Sequence, residues 1–379
     1  MLRDRRPTCA RARSGRWWLA AAMGWLAACT EPTPALPAGP SAPIDLSAEW
    51  RAATPESESI DAGKLAAAVS HARALPRLTS LLVVRHGRLV LEEYLNGNRA
   101  DSVNDVRSVT KSVVSTLVGI AIAKGLLPGV TARIDGYLDA AHLDGLEPVK
   151  RAITVENLLT MSSGFQWDEL TTAAYNDWVL SPDPIAYLLQ RPLANPPGQA
   201  FTYNSAAVHL LSAVLQGATG LSTQDFAQRN LFDPLGITTA RWELLPDGQA
   251  NGGAGLDLRP RDLAKLGALW LQAGDVGGGH GMIVSSDWVA NATTPKFSYW
   301  TGRAPLAAQS YGYLWWLDWR GGRISFFAWG YGGQFIWVDR ALDLVIVVTT
   351  EWRGAGAQAS VLESNGLGLI VNYILPAVR

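Results

Sequence analysis

Hydrophobic and polar residues follow strand-like patterns near both ends of the chain. Residues 80–85 and 88–94 are two largely apolar runs separated by His86 and Gly87, a short glycine turn typical of a β-hairpin. A second pair of runs, residues 333–338 and 342–349, flanks a short turn near the C-terminus. The last run is apolar at almost every position, which predicts a strand in the interior of a sheet.

The middle of the chain has the apolar spacing that predicts helices. An apolar run over residues 112–123 ends at Lys124 and Gly125, a typical helix stop. Further helices are predicted at residues 154–160, 183–190, 206–218, 223–231, 261–273 and 360–375. Strands at both ends with helices between them predict an α+β fold. We expect helices to flank one antiparallel sheet from about residues 44–107 and 305–379, and a mainly helical lobe, about 108–304, to be inserted.

The first 28 residues have the pattern of an export signal. Six arginines precede an apolar segment, residues 17–28, that is short for a bilayer span. It ends in Leu26-Ala27-Ala28-Cys29, which resembles the lipobox of bacterial lipoproteins, where the cysteine becomes the lipidated first residue. A plain signal peptide and a retained membrane anchor are the alternatives.

We therefore expect an exported lipoprotein that faces the periplasm and is held in a membrane by a lipid on Cys29. The residue after Cys29 is Thr30, and not the Asp that retains lipoproteins in the inner membrane. Its identity therefore favours the outer membrane. Residues 29–43, rich in Pro and Ala, are predicted to be a tether to one domain, residues 44–379.

Composition argues against several functions. Removing residues 1–28, which carry six Arg and one Asp, takes the formal net charge from −1 to −6 and leaves no basic run, so nucleic acid is not an expected partner. Cys9 lies in the removed segment and Cys29 is the predicted lipidation site, so the domain has no thiol nucleophile, disulfide or thiolate metal site. The five histidines lack ligand spacing, and neither a metal nor a cofactor is expected.

Residues 108–111 are the strongest indication of chemistry in the sequence. Ser108 and Lys111 lie one helical turn apart, so the hydroxyl and the amine can touch. Ser108 would begin a helix, where free backbone N–H groups and the positive end of the dipole favour a developing oxyanion. A Lys desolvated against this helix becomes a plausible proton acceptor.

The alternative is that Ser108 only caps the helix. A capping box would place Glu or Gln three residues after the cap, whereas this chain has Lys111, the wrong charge for that end of a helix. Ser112 follows directly and is either a partner of Lys111 or an ordinary helix serine.

Two later segments carry further candidate residues. One segment, just before an apolar helix, contains Tyr203, Asn204 and Ser205. If Tyr203 lies near Lys111, its hydroxyl can accept and donate protons. The alternative is a buried Tyr whose hydroxyl is bonded to the backbone. Residues 329–334 form a glycine-rich entry to a late strand, where backbone N–H groups can approach a ligand closely. A β-bulge without chemistry is the alternative there.

These three segments together resemble the serine β-lactamase and penicillin-recognising superfamily, and the resemblance covers nearly the whole mature chain. Residues 108–111 look like its S-x-x-K motif, residues 203–205 its Y-x-N motif, and residues 331–333 its third, K/H-T-G-type motif. Residues 153–164, 197–203 and 311–316 support the likeness. The family fold that this implies is the β-lactamase/transpeptidase fold.

The resemblance implies a role for each candidate residue. Ser108 is the nucleophile, with Lys111 and Tyr203 as a coupled acid–base pair. Backbone N–H groups of Ser108 and Gln334 bind the oxyanion. The remaining candidates for substrate binding are Trp329, Tyr331, Gly332, Gly333, Asn204, Ser205 and Ser112.

Two departures from the motifs bear on the substrate. Ser205 replaces the Asn of Y-x-N, and Tyr331 replaces the cation that pairs with a β-lactam carboxylate. Loss of such a charge-assisted partner typically costs ~1.5–3 kcal/mol. The pattern is closer to the branch of esterases and aminohexanoate-oligomer hydrolases.

The expected function is acyl transfer from a small ester, amide or peptide-like substrate by a monomeric serine hydrolase. A β-lactamase or D-Ala-D-Ala carboxypeptidase is an alternative, with Arg353 or Arg303 supplying the missing cation. A non-catalytic lipoprotein that binds muropeptides is another. We expect a cleft between the sheet and the helical lobe, with Ser108 in it. Residues 175–178, Tyr175, Asn176, Asp177 and Trp178, are expected in a loop at the rim of this cleft.

Overall fold

The computed structural model describes residues 43–169, 171–298 and 304–379. The predicted export signal, Cys29 and Arg303 lie outside these ranges, as does all of the tether except Pro43. The described strands are β1 (Leu78–Arg85), β2 (Arg88–Tyr94), β3 (Asn104–Asp105), β4 (Arg241–Trp242), β5 (Leu256–Leu258), β6 (Phe297–Ser298), β7 (Ala308–Tyr311), β8 (Trp316–Arg320), β9 (Arg323–Gly330), β10 (Gln334–Asp339) and β11 (Leu344–Thr350).

The described α-helices are α1 (Ala62–Ala74), α2 (Val109–Ala123), α3 (Ala140–Leu143), α4 (Pro148–Arg151), α5 (Val155–Leu159), α6 (Thr172–Val179), α7 (Pro184–Leu189), α8 (Ser205–Thr219), α9 (Thr223–Ala227), α10 (Pro260–Leu271), α11 (Ser286–Ala292) and α12 (Ala359–Gly368). A π-helical segment, Leu369–Ile374, continues α12. In the described part of the chain, no helix combines the length and apolarity that a bilayer span requires.

An eight-stranded antiparallel sheet joins the two ends of the described chain, in the order β2-β1-β11-β10-β9-β8-β7-β6. Both predicted hairpins are present. His86 and Gly87 have φ angles of 46° and 71°, the two positive values that a two-residue hairpin turn of type I′ requires. β11 is buried along its whole length between β1 and β10, so its predicted interior position is confirmed.

Helices cover both faces of this sheet. Gly267 of α10 packs against Ile336 and Val345. Gly366 of α12 packs against Phe335 and Val348, which point to the opposite face because side chains alternate along a strand. The predicted α+β fold, with a flanked antiparallel sheet, is therefore confirmed.

The helical part lies between the two halves of the sheet in sequence. α8 contacts α2, α5, α6, α7 and α9, and α2 also packs against β9 and β10 of the sheet. The main sheet extends further than predicted, since β6 lies within the residues assigned to the helical lobe. A small second sheet, β3-β5-β4, holds the segment that leads to Ser108.

Candidate active site

Ser108 occupies the N-cap position of α2, but its side chain makes no capping hydrogen bond. The preceding turn is fixed because Val106 N–H donates to Leu256 O at 3.0 Å and Arg107 N–H donates to Asp105 Oδ1 at 2.9 Å. Arg107 itself has a φ of 50°, an uncommon conformation for a residue with a side chain. The Ser108 hydroxyl is thus turned toward Lys111 instead of the helix backbone.

Lys111 is fully enclosed and its amine meets three oxygen atoms. Nζ lies 2.7 Å from Ser108 Oγ, 2.9 Å from Ser205 Oγ and 2.7 Å from Gly253 O. Burial lowers the pKa of Lys111 to about 7, while the Glu169 carboxylate raises it and the Arg107 guanidinium lowers it further. A neutral amine beside the serine hydroxyl is therefore accessible near neutral pH.

Tyr203 faces the same amine from the segment before α8. The centre of its ring lies 4.8 Å from Lys111 Nζ. The ring stacks on Trp316 at 5.9 Å between centroids, and Trp316 in turn contacts Trp329 at 5.4 Å. These aromatic contacts connect Tyr203 to the glycine-rich segment at the end of β9.

Asn204 and Ser205 have different roles at the start of α8. Asn204 Oδ1 accepts a hydrogen bond from Ala207 N–H at 2.9 Å, so this side chain caps the helix. Ser205 contacts Lys111 directly and also binds Glu169, to which its backbone N–H donates at 2.9 Å. Of the two residues, only Ser205 belongs to the hydrogen-bond network of Lys111.

The turn between β9 and β10 lies against the segment that leads to Ser108. A Cβ atom on Gly330 would come within 2.3 Å of Val106 O, so the backbones are in close contact. Gly332 and Gly333 have φ angles of 76° and 99°, which favour glycine. Gln334 is buried, and its side chain binds Thr350 through both amide atoms.

Tyr331 is 42% exposed, and its hydroxyl donates to Gly356 O at 3.1 Å. Its ring contacts Trp352 edge-on, with the ring centroids 6.2 Å apart. The third motif therefore presents an aromatic ring with no cation from Tyr331 itself, while Gly332 N–H donates to Glu363 Oε1 at 2.9 Å and Gly333 N–H donates to Gly330 O at 3.1 Å.

The family model of beta-lactamases matches residues 67–364, which include all three motif segments. The chain belongs to the beta-lactamase family.

Relatives in this family include hydrolases of small molecules. The chain is 26% identical over 317 residues to a 6-aminohexanoate-dimer hydrolase of Paenarthrobacter ureafaciens, covering 79% of each chain. It is 26% identical over 227 residues to a lovastatin esterase of Penicillium rubens, covering 52% of this chain and 56% of that protein. A candidate 6-aminohexanoate-dimer hydrolase from Bacillus anthracis has the same fold, with a TM-score of 0.69 at 17% identity over 90% of this chain and 92% of that one.

The chain is accordingly a serine hydrolase of the beta-lactamase family. Its predicted likeness to the branch of esterases and aminohexanoate-oligomer hydrolases is confirmed by the two curated relatives. In the described residues, no group of three or more His, Cys, Asp or Glu side chains is arranged to hold a metal ion.

The structure agrees with one of the two alternatives for Ser112, and the expectation for residues 175–178 needs correction. Ser112 donates its hydroxyl to Leu314 O at 2.7 Å, so it helps to fix the loop before β8 and is an ordinary helix serine. Residues 175–178 lie in α6 and not in a loop. Trp178 is fully buried, with its ring 5.8 Å from that of His209, and this packing stabilises a helix whose Asn and Asp residues have low helix propensity.

Tyr175 contacts the turn that leads to Ser108. Its hydroxyl accepts a hydrogen bond from Arg107 at 3.5 Å. Asn176 and Asp177 are exposed. The predicted rim role therefore has support in the structure only at Tyr175.

Two groups that contact the Lys111 network were not predicted from the sequence. The first is the carbonyl of Gly253; a Cβ atom there would lie 2.8 Å from Ser205 Cβ, so this position requires the absence of a side chain. The glycine-rich run of residues 251–255 was an available signal for such a close approach. The second is Glu169, which follows Asp168 in a loop, and nothing in the sequence distinguished this carboxylate as a site residue.

Two arginines lie beside the third motif. The guanidinium of Arg107 lies 4.4 Å from the ring centre of Trp352, and that of Arg353 lies 5.3 Å from it. Trp352 packs directly against Gly332. Both arginines line a cavity of about 400 Å³ together with Arg241, but Asp105, Glu243 and Asp257 line it as well, so its arginines and carboxylates balance in formal charge.

Proposed function

We propose that this serine hydrolase cleaves the ester or amide bond of a small substrate through an acyl-enzyme on Ser108. The observation that carries the proposal is the 2.7 Å contact between Ser108 Oγ and the buried amine of Lys111. Burial lowers the pKa of this amine to about 7, so a large fraction is neutral at physiological pH. An activated nucleophile needs an adjacent base of this kind.

In the proposed reaction, Ser108 Oγ bonds to the substrate carbonyl carbon while its proton passes to the Lys111–Tyr203 pair. Backbone N–H groups of Ser108 and Gln334 stabilise the resulting oxyanion. The bond to the leaving group then breaks, and the leaving group takes the proton from the pair. Water attacks the acyl-Ser108 ester, its proton returns through the same pair, and free Ser108 and the acid product result.

The preferred substrate is one without a carboxylate beside the scissile bond. Tyr331 offers an exposed ring and a hydroxyl already bonded to Gly356, and it supplies no cation. One relative is named for a 6-aminohexanoate dimer and another for lovastatin, which supports a small amide or ester. We infer that Tyr331 and Trp329 line the acyl pocket.

Hydrolysis of p-nitrophenyl butyrate by the purified chain and by the Ser108→Ala variant tests this proposal. We expect the wild-type protein to hydrolyse the ester. The variant should be folded by circular dichroism, and its turnover should be lower by at least ~10³-fold. A folded Ser108→Ala variant with wild-type turnover would remove Ser108 from the mechanism.

A second candidate function is hydrolysis of β-lactams or D-Ala-D-Ala peptides. It is favoured by Arg107 and Arg353, whose guanidinium groups flank Trp352 next to Gly332 and can meet a substrate carboxylate. Hydrolysis of nitrocefin distinguishes the two candidate functions. This alternative is favoured if nitrocefin is hydrolysed faster than the ester and if Arg353→Ala loses that activity. A lipoprotein that only binds muropeptides has no need of the Lys111–Tyr203 pair. Such a protein would hydrolyse neither the ester nor nitrocefin.

We also propose that the chain is an exported, monomeric lipoprotein that faces the periplasm, anchored by a lipid on Cys29, in the outer membrane. The support is the sequence of residues 1–29, with its arginines, apolar segment and lipobox-like end. No metal, cofactor or nucleic acid is part of the proposal.

A further inference from the structure

Glu169, in the loop between α5 and α6, uses both carboxylate oxygens in the active site. Oε2 accepts hydrogen bonds from Ser205 N–H at 2.9 Å and from Trp167 Nε1–H at 2.6 Å. Oε1 accepts a hydrogen bond from the Ser205 hydroxyl. The carboxylate is therefore held firmly beside the first residue of α8, one hydroxyl group away from Lys111 Nζ.

The contact with Glu169 determines which way the Ser205 hydroxyl points. A hydroxyl has one proton, and an ionised carboxylate only accepts hydrogen bonds. Ser205 must therefore donate to Glu169 and accept from Lys111 Nζ, which lies 2.9 Å from its Oγ. Gly253 O, 2.7 Å from Nζ, is a carbonyl and also only accepts.

The lone pair of neutral Lys111 can face only one of these three oxygen neighbours. A neutral amine has two N–H protons and one lone pair, and Ser205 and Gly253 take the two protons. The lone pair then faces the third neighbour, the Ser108 hydroxyl at 2.7 Å. That is the arrangement in which the amine can accept the serine proton.

We propose that Glu169 is a positioning residue of this site, which acts through Ser205 to direct the lone pair of Lys111 onto the Ser108 hydroxyl. The inference rests on the proposed function, in which Lys111 accepts the Ser108 proton. Without the carboxylate, the Ser205 hydroxyl is free to donate to Lys111 and to compete with Ser108 for the lone pair.

The charge of Glu169 also acts on Lys111. Among the described residues, the charged and titratable groups that face Lys111 are Glu169, Arg107 on the turn before α2, and Tyr203 before α8. Burial is the main cause that lowers the pKa of Lys111, and Glu169 opposes it. Removal of this negative charge therefore lowers the pKa of Lys111 further.

The Glu169→Gln substitution in the full-length, detergent-solubilised chain tests the inference, with kcat/KM for p-nitrophenyl butyrate measured against pH. We expect two changes together: a plateau lower by about tenfold or more, and an acid limb displaced to lower pH. Glu156→Gln is the matched control, because Glu156 is a partly buried carboxylate that accepts from Tyr313 O–H at 2.6 Å, outside the site. It should change neither quantity.

The Ser205→Ala background provides a second test, which asks whether the effect of Glu169→Gln passes through the Ser205 hydroxyl; circular dichroism checks that each variant is folded. If Glu169 acts through Ser205, adding Glu169→Gln to Ser205→Ala lowers the plateau by less than about threefold. An unshifted acid limb, or the same plateau loss in both backgrounds, overturns the positioning role while leaving the proposed function intact. A wild-type chain without Ser108-dependent hydrolysis overturns both.

Discussion

Three side chains and one carbonyl define the chemistry at the scale of residues. Ser108, Lys111 and Ser205 meet at hydrogen-bond distance, and Gly253 O completes the shell around the amine. The arrangement explains why a Lys can be a base here: among the described residues no carboxylate forms an ion pair with its amine, and burial disfavours its charged form.

The pH dependence of wild-type activity follows from Lys111. The amine must be neutral to accept the Ser108 proton, and its pKa is lowered from 10.5 to about 7. The active fraction therefore rises with pH through about 7 and is then constant. We expect kcat/KM for a neutral ester to show an acid limb with a midpoint near pH 7; a rise that continues to pH 10 would mean that Lys111 titrates as an ordinary lysine.

Tyr203→Phe removes a hydroxyl and leaves the aromatic stack on Trp316 intact. We expect normal folding and at least ~10²-fold lower turnover, since the proton relay loses one member. Tyr187→Phe is a suitable control. Tyr187 lies on α7, and its hydroxyl accepts a hydrogen bond from the Arg191 guanidinium at 3.2 Å. Near-normal turnover in Tyr203→Phe would take Tyr203 out of the acid–base pair.

Elements bring these residues together from distant parts of the chain. α2 supplies Ser108 and Lys111, the start of α8 supplies Ser205, and the run of residues 251–255 supplies Gly253 O. Gly253 has little space, since a Cβ atom would lie 2.8 Å from Ser205 Cβ and 2.9 Å from Ser205 O. The loop can approach α8 only because it lacks a side chain there.

Gly253→Ala tests this close approach. Overpacking should lower the free energy of unfolding by ~1–3 kcal/mol and move Gly253 O away from Lys111, so that turnover also falls. Gly136→Ala is the control, because its Cβ would meet nothing within 4 Å and its φ is not positive. Equal stability and turnover in the two variants would show that the loop adjusts without cost.

The sequence predicted elements where a local pattern was strong. The hairpins of the sheet, α2 and α8 follow from apolar runs bounded by turn residues, and the S-x-x-K spacing depends on local helix geometry alone. α6 was missed because it is short and is stabilised by the burial of Trp178, which is a tertiary effect. Glu169 was missed because its contact with Ser205 joins a loop to the first residue of α8, 36 residues later in the sequence.

At the scale of the whole molecule, the sheet and the helical part present the site together. Strands from both ends of the described chain pair as β1 and β11, and α2 packs between β9, β10 and α8. The motif order along the chain made this arrangement predictable only through the family resemblance. Composition and periodicity alone indicated an α+β fold and a cleft without specifying its chemistry.

Membrane attachment is a prediction for the complete chain. Cys29→Ser should move the protein from the membrane fraction to the soluble periplasmic fraction and abolish labelling by an alkyne fatty acid. Cys9→Ser is the matched control, since Cys9 lies within the predicted signal segment and should not affect labelling. A Cys29→Ser protein that is still labelled and still in the membrane would contradict the lipoprotein assignment.

The central claim is that Ser108 is an activated nucleophile. Intact-mass measurement of residues 44–379 after incubation with a fluorophosphonate tests it most directly, with Ser108→Ala treated in parallel. We predict a single adduct on the wild-type protein and none on the variant. A folded wild-type protein without an adduct, or an equal adduct on both proteins, would contradict the account.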